Sequence, residues 1–198
     1  MHRILIFNLG GTSTKLAVFD EETLVVEGTI RHTDREIQGC TDNAEQIAFR
    51  RGAIEAWLLE NHISLDDLSA VVIRSSGAGL CKKGGTYLVT GKLRDGMYAA
   101  YRGSFPKAPH PSFIVLPLAD EILGSRPIPI YIVDPDGGDE FQDVAYITGH
   151  PDLPRSSGFH VLNHKAIARK ASRDLGKRYE DADLVVAHMG GGISIAAH

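Results

Sequence analysis

The stretch Asn8-Leu9-Gly10-Gly11-Thr12-Ser13-Thr14-Lys15 decides the fold, because it puts a glycine-rich turn between two apolar runs, residues 4–7 and 16–19. An apolar run on each side of a tight glycine turn predicts a β-hairpin. Glycine permits positive φ and leaves no Cβ between the backbone and a ligand. The N–H groups and small hydroxyls of such a turn can therefore face an anion, which predicts a phosphate-binding hairpin at the start of the chain.

A second glycine-rich stretch, His188-Met189-Gly190-Gly191-Gly192-Ile193-Ser194, follows the apolar run 184–187 near the other end of the chain. It predicts another hairpin of the same kind. Two such hairpins predict two related half-sites that close on one phosphorylated ligand. The sequence stops shortly after Gly192, so we expect most of the domain that carries the second half-site to be missing.

Composition and charge narrow the class of protein. The chain has 198 residues, 43% of them hydrophobic, and a formal net charge of −4, which gives no electrostatic footprint for nucleic acid. Cys40 and Cys81 form neither a metal-ligand spacing nor a disulfide framework, as expected in a reducing cytoplasm. The N-terminus lacks the regions of a signal peptide, and no apolar run approaches the roughly 20 residues that span a bilayer. We expect a cytoplasmic α/β protein without a nucleic-acid or membrane partner.

The remaining elements follow from hydrophobic periodicity. The pattern predicts strands at 3–8, 15–20, 24–32, 70–74, 128–133 and 184–187, and helices at 42–62, 114–123 and 159–179. Residues 75–112 are rich in glycine and proline and lack sustained periodicity, so they predict an insertion of hairpins and loops that lines a cleft.

This order of elements is the layout of the actin-like ATPase (ribonuclease H-like) fold. In that α/β fold two domains each open with a three-stranded meander, and nucleotide binds between them. We expect residues 1–149 to form a complete first domain, with the cleft insertion at about 75–112. Residues 150–198 are expected to hold the linking helix and the first strand-hairpin of a second domain that is only begun.

Several motifs, in their order and spacing, resemble the acetate and butyrate kinase family, and the butyrate kinase branch is the more similar. The motifs are Asn8…Gly10…Ser13…Lys15, Arg74, Gly84-Gly85-Thr86-Tyr87, Val133-Asp134-Pro135, Phe159-His160…Asn163…Lys165-Ala166 and Ala187-His188-Met189-Gly190-Gly191-Gly192. Any one glycine hairpin is a weak signal, whereas five such motifs in the right order, together with Arg74, are a strong one. The resemblance runs over the whole chain, which supplies a little over half of a family member.

The resemblance implies an enzyme that phosphorylates a short-chain carboxylic acid such as butyrate with ATP and Mg²⁺, giving an acyl phosphate and ADP. Carboxyl groups ordinarily have pKa values near ~4, so the acid is already ionised at neutral pH and needs no strong general base. The difficulty is to bring one anion against another. Catalysis must therefore consist of positioning and charge neutralisation.

Two residues at predicted strand ends are candidates for binding the acid and the metal. By resemblance Arg74 clamps the carboxylate, since a guanidinium can hold it through two hydrogen bonds and an ammonium cannot. The alternative is a structural arginine paired with a nearby acid. Asp134 is expected to orient Mg²⁺ or its water shell, because Mg²⁺ keeps several waters and takes only one or two carboxylates. The alternative for Asp134 is an Asp-Pro turn initiator.

Histidines and the two glycine turns are expected to contact phosphate. His160 matches the family histidine that contacts the transferring phosphoryl group, although a core or capping histidine is the alternative. His110 stands where the family places a second such histidine. The residues expected to line the two turns are Asn8, Gly10, Ser13 and Lys15 in the first and His188, Gly190, Gly191 and Gly192 in the second. Lys15 could equally be a solvated residue on an outward strand face.

Some positions depart from the family pattern, and they leave a second function open. Gly11 stands where the family usually has serine, Ser75-Ser76 replaces the Gly-Gly of the butyrate kinase branch, and Asp136-Gly137-Gly138 replaces small apolar residues. The competing hypothesis is a catalytically incompetent remnant that binds small anions or a partner. A sugar kinase of the same fold is disfavoured by the motifs around His160 and His188. The sequence leaves open which carboxylic acid is the substrate and whether the protein forms a homo-oligomer.

Overall fold

The structure is a computed structural model that describes residues 1–104, 111–153, 155, 157–190 and 192–197. The chain divides into two compact units. Unit 1 comprises Met1–Leu80 and Thr86–Val133, and unit 2 comprises Cys81–Gly85 and Asp134–His198. Each is described by itself.

Unit 1 is built on a six-stranded sheet in the order β3-β2-β1-β4-β6-β5. Its strands are β1 (Arg3–Leu9), β2 (Ser13–Asp20), β3 (Thr23–Arg31), β4 (Ala70–Ile73), β5 (Thr86–Leu88) and β6 (Ile130–Val133). The first three form an antiparallel meander, β4 is parallel to β1, and β6 is parallel to β4. Strand β5 pairs antiparallel with β6. The carboxyl ends of β1, β4 and β6 therefore lie at one edge of the sheet.

Four helices accompany the sheet of unit 1. They are α1 (Asp34–Gly39), α2 (Asn43–Glu60), α3 (Gly91–Gly103) and α4 (Pro111–Leu123). A capping box begins α1, in which Thr33 and Glu36 satisfy each other's backbone N–H groups, and the Asp42 side chain caps α2 by accepting from Glu45 N–H. Helices α2 and α3 both pack against α4.

The hydrophobic core of unit 1 follows from the alternation of the strands. Leu5 and Phe7 of β1 are fully buried, and so are Val71 and Ile73 of β4, while the residues between them are more exposed. Gly28 of β3 leaves room for the ring of Trp57 on α2, which a Cβ at this position would overlap. Together with α4, which is buried along most of its length, these residues form one continuous core.

In its described residues, unit 2 contains one α-helix, two short 3-10 helices and a two-stranded sheet. Helix α5 (Val161–Asp174) packs against β7 (Val185–Met189), which pairs antiparallel with β8 (Ile193–Ala197). One face of this hairpin carries large apolar side chains that are mostly exposed: Val185 (76%), Met189 (79%), Ile193 (71%) and Ile195 (67%).

Most predicted elements are present, and one regional prediction is wrong. Residues 75–112 were expected to lack helices, yet α3 spans thirteen of them, and the short α1 also went unrecognised. The signal for α3 was present, because Leu93, Met97 and Tyr101 recur every four residues and pack into the core. Glycines at both ends of α3 and at its centre obscured that period. The compact units separate after Val133. The domain division expected at residue 149 stays a prediction.

Among the described residues, no helix combines the length and the apolar character that crossing a membrane would require.

We expect unit 2 to be the less stable part of the chain. The large buried apolar cluster lies wholly in unit 1, whereas the hairpin of unit 2 leaves one apolar face exposed. In hydrogen exchange followed by mass spectrometry, amides of α5, β7 and β8 should exchange faster than those of β1 and β4. Equal protection in the two sets of peptides would contradict this expectation.

Candidate active site

The first glycine turn joins β1 to β2 and presents a row of polar side chains beside it. Asn8 pairs with Lys15 across the two strands, and Lys15 pairs in turn with Thr29 of β3. This row lines a depression of about 470 Å³ together with Ile6 and Glu27. Lys15 is exposed and Asn8 is half-buried, so both side chains are accessible to a ligand.

The turn itself leaves two backbone donors open to solvent. Gly10 N–H donates to the Ser13 carbonyl at 2.7 Å, which closes the turn. The N–H groups of Gly11 and Thr12 donate to no residue that the structure describes, and both residues are exposed. Neither Gly10 nor Gly11 adopts positive φ. The two glycines therefore contribute an open approach to the backbone rather than an unusual conformation.

Arg74 immediately follows β4. Its N–H donates to the Phe7 carbonyl of β1 at 3.0 Å, which places it at the sheet edge where the glycine turn begins. It is half-buried. Within unit 1 the structure thus brings Arg74 to the same edge as the predicted phosphate residues Asn8, Gly10, Ser13 and Lys15.

Asp134 immediately follows β6 in the sequence, and in unit 2 it is 4% exposed with φ of 42°. A non-glycine residue in the left-handed region stores strain and persists only where its surroundings hold it. Here the Asp134 N–H donates to the Gly85 carbonyl at 2.8 Å, and the Gly85 N–H donates to Asp134 Oδ1 at 2.9 Å. This pair of hydrogen bonds fixes the direction of the carboxylate.

Lys165 of α5 joins Asp134 to a second carboxylate. Its Nζ lies 3.1 Å from Asp134 Oδ1 and 2.8 Å from Glu140 Oε1, and Arg169 Nη1 is 4.0 Å from Asp134 Oδ2. Burial alone would lower the pKa of Lys165, but the hydrogen bonds to Glu140 and Asp134 outweigh it and the pKa is raised. Lys165 therefore stays protonated and compensates the buried charge of Asp134.

Gly84 is required by this ion cluster. Its N–H donates to Glu140 Oε1 at 3.1 Å. A Cβ at this position would overlap both Glu140 Oε1 and Lys165 Nζ, so any side chain here would displace the cluster. The Gly84-Gly85 pair thus has a physical role, in which one glycine makes room and the other holds Asp134.

Three histidines of unit 2 meet around Ser194. His160 Nδ1 and His164 Nε2 each lie 2.8 Å from Ser194 Oγ. Since a hydroxyl has one proton, Ser194 donates to at most one of the two rings and accepts from any other. The His188 ring stacks on His160 with centroids 3.8 Å apart, and Asn163 Nδ2 lies 2.6 Å from His188 Nδ1. The two histidines predicted from the glycine and helix motifs are therefore neighbours.

A cavity of about 730 Å³ opens beside these groups within unit 2. Its walls are mostly apolar and aromatic, with Phe141, Phe159 and Ile195 among them, and His164 and Lys165 add polar groups. An apolar cavity with a few polar groups is the usual form of a small-molecule site.

The structure places the predicted residues in two groups and shows partners that the sequence did not reveal. Unit 1 holds Asn8, Gly10, Ser13, Lys15 and Arg74, and unit 2 holds Asp134, His160, His188, Gly190 and Gly192. His110 and Gly191 lie outside the described residues. The residues not predicted are Gly84, Glu140, His164, Lys165 and Ser194. Of these, Gly84, Lys165 and Ser194 stood within the quoted motifs, whereas nothing in the sequence around Glu140 signalled its contact with Lys165.

No protein-family model matches the sequence, whereas curated proteins match it along its whole length. Butyrate kinase 1 of Clostridium acetobutylicum is 40% identical over 200 residues, a match that covers 100% of this chain and 54% of the relative. Butyrate kinase 2 of the same organism is 38% identical and covers 99% of this chain and 53% of the relative. The chain thus spans about half the length of the curated relatives it matches.

Solved structures are similar over the same extent. The match to an acetate kinase from Porphyromonas gingivalis has a TM-score of 0.63 at 16% identity, and it covers 100% of this chain and 55% of the acetate kinase chain. An acetate kinase from Entamoeba histolytica has a TM-score of 0.64 at 18% identity, with 99% and 52% covered.

The structural likeness identifies the class: the chain has the α/β, actin-like ATPase fold that the order of its elements predicted. The sequence matches give a narrower likeness, to butyrate kinases. The resemblance to the acetate and butyrate kinase family is confirmed, and curated butyrate kinases match it along its entire length.

His164 makes the stability of unit 2 depend on pH. Burial, reinforced by the nearby His188 and His160, lowers the pKa of His164 below its usual 6.5. The unfolded chain then takes up a proton more readily than the folded chain. The stability that neutral His164 contributes is therefore present above about pH 6.5 and lost as the pH falls through the folded pKa.

We expect acidification from about pH 7 to about pH 5 to destabilise the wild type more than His164→Gln, whose amide can still bond Ser194 but does not titrate. Urea unfolding, followed through hydrogen exchange of α5 peptides, measures the difference. Identical losses of stability in the two proteins would show that His164 is not the responsible group.

Proposed function

We propose that the protein is an ATP-dependent carboxylate kinase that transfers the γ-phosphate of ATP to a short-chain carboxylic acid such as butyrate, giving an acyl phosphate and ADP. The observation that carries the proposal is the buried, backbone-strained Asp134, tied to Lys165 in the same unit as the stacked His160 and His188. Strained and charged clusters of this kind are typical of functional sites. The similarity to butyrate kinases over the whole chain suggests the class of acid.

Each group then has a role that follows from its chemistry. Arg74 would hold the ionised carboxylate through two parallel hydrogen bonds. The turn N–H groups, with Asn8, Ser13 and Lys15, would bind phosphate oxygens. His160 and His188 would donate hydrogen bonds to the transferring phosphoryl group, and an imidazolium would do so more strongly than a neutral ring. Because the acid is already ionised, no residue needs to act as a strong base.

The residues around Asp134 fit a magnesium ion that arrives with nucleotide. Lys165 Nζ occupies the position between Asp134 Oδ1 and Glu140 Oε1, so Asp134 Oδ2, which lies 4.0 Å from Arg169 Nη1, is the hard carboxylate oxygen that suits Mg²⁺. Among the described residues no cluster of three or more His, Cys, Asp or Glu side chains could hold a metal. Asp134 would therefore hold Mg²⁺ together with waters and phosphate oxygens, which is the usual arrangement for this ion. When bound, Mg²⁺ would neutralise phosphate charge.

The second candidate is a catalytically incompetent remnant that binds small anions or a partner. The observations that favour it are the departures from the family pattern at Gly11, Ser75-Ser76 and Asp136-Gly137-Gly138. Trapping of acyl phosphate as the hydroxamate, from butyrate with ATP and Mg²⁺, distinguishes the two functions. Product formation supports the kinase, whereas binding of inorganic tripolyphosphate without product supports the remnant. We further propose a cytoplasmic location and no nucleic-acid partner. Whether the protein forms a homo-oligomer stays open.

Arg74 provides the sharpest test of the acid site in a catalytically active protein. We expect Arg74→Lys to cost about 2–3 kcal/mol, roughly 30- to 150-fold in rate, because one ammonium cannot reproduce a bidentate contact. The KM for the acid should rise as well, while that for ATP changes little.

The matched control is Arg102→Lys, because Arg102 is exposed in the last turn of α3. It should leave the kinetics unchanged. If Arg74 is only structural, Arg74→Lys should instead lower the melting temperature while the kinetics per folded molecule stay at the wild-type level. That outcome would remove Arg74 from the acid site.

A further inference from the structure

Arg50, in the middle of α2, is a fully buried cation that the functions above do not use. Its side chain is 0% exposed. Among the residues that the structure describes, no carboxylate forms an ion pair with it, and its Nε has no hydrogen-bond partner. Unpaired buried charges are costly, so an uncompensated guanidinium in a core calls for an explanation.

The Arg50 guanidinium binds the first glycine turn from its inner side. Nη2 donates to the carbonyls of Gly10 at 2.9 Å and Gly11 at 3.1 Å. Nη1 donates to the Ser13 carbonyl at 3.2 Å and to Thr14 Oγ1 at 2.9 Å. One side chain thus holds three carbonyl oxygens of the turn, and the fixed fork of a guanidinium suits such a set of acceptors.

This arrangement explains how the turn presents its donors. With the carbonyl of Gly10 and that of Gly11 bound inward by Arg50, the N–H groups of Gly11 and Thr12 are left unbonded by any described residue. Consecutive unbonded backbone N–H groups form a concave anion site. Arg50 therefore determines which backbone groups are available to a ligand.

The charge of Arg50 also remains uncancelled beneath the turn. Burial lowers its pKa to about 10, which still leaves the guanidinium protonated at neutral pH. Thr14 Oγ1 accepts from Arg50, so its own proton points to His32 Nε2, 2.8 Å away. Burial, and then the charge of Arg50, lower the pKa of His32. The carbonyl dipoles satisfy hydrogen bonds but carry no net charge, so a positive charge stands behind the open N–H groups.

We propose that Arg50 is a positioning residue for phosphate binding: it holds the Gly10–Ser13 turn with its N–H groups outward and supplies the positive charge that attracts a polyphosphate anion. This inference rests on the proposed function in taking the first turn as a phosphate site. It adds the residue that forms the site from behind, without contact between Arg50 and the ligand.

The test measures binding of inorganic tripolyphosphate to the whole chain by calorimetry. We expect Arg50→Met to weaken the affinity at least about tenfold, because the turn loses both its clamp and its charge. Arg50→Lys should give an intermediate loss, since a single ammonium keeps the charge but does not reproduce the planar fork. The matched control is Arg51→Met, which makes the same change of charge at the next residue, where the side chain is exposed and pairs with Glu55 and Glu121.

Arg51→Met should bind tripolyphosphate within about twofold of wild type. Hydrogen exchange of β1 and β2 shows whether each variant is folded, and Arg50→Lys keeps the test decisive if Arg50→Met does not fold. In folded Arg50→Lys the Gly10 amide, which closes the turn by donating to the Ser13 carbonyl, should also exchange faster, which a role in the core alone would not produce. Wild-type affinity in a folded Arg50 variant, or no binding by the wild type, would overturn the inference. Arg50-dependent binding without acyl phosphate formation would instead support the inference while the kinase function failed.

Discussion

Buried charge beside the ends of strands is the constraint on which the candidate site depends. Asp134 and Arg50 are almost inaccessible to water, and each must be compensated by the protein. Asp134 is compensated by the opposite charge of Lys165, with Arg169 nearby, whereas Arg50 is bound, among the described residues, only by neutral carbonyl and hydroxyl oxygens. The charge of Asp134 is therefore neutralised within unit 2. The charge of Arg50 remains as a net positive charge in unit 1. It lies directly behind the first glycine turn, where the Gly11 and Thr12 N–H groups donate to no described residue.

The compensation of Asp134 explains why glycines and a lysine occur together in the motifs. Removing one partner of a buried ion pair typically costs about 3–5 kcal/mol, because the other charge is left unpaired. Lys165 Nζ lies where a Cβ on Gly84 would overlap it, and Gly85 holds the strained backbone through a pair of hydrogen bonds. The glycine pair, the aspartate and the lysine are therefore one structural unit, although they are far apart in the sequence.

Local patterns in the sequence predicted the elements that local physics controls. The strands of the first hairpin, helix α2 and the buried strand β4 have clear periodicity, and the structure contains them. Helix α3 was missed because its glycines conceal the period. The role of Arg50 could not be predicted, since its acceptors are carbonyl oxygens of any residue type about forty positions away. The contact of Glu140 with Lys165 likewise depends on tertiary packing that no spacing along the chain reveals.

We propose that the glycine turns of this chain are built to bind phosphate. A titration with inorganic tripolyphosphate, followed by amide NMR, is the direct test of that binding. We expect the largest changes of amide chemical shift at Gly11 and Thr12, with further changes around His160 and His188 in unit 2. ATP should give the same pattern, since phosphate contacts would dominate its binding. Shift changes absent from Gly11 and Thr12, or scattered only among exposed lysines and arginines, would contradict the account.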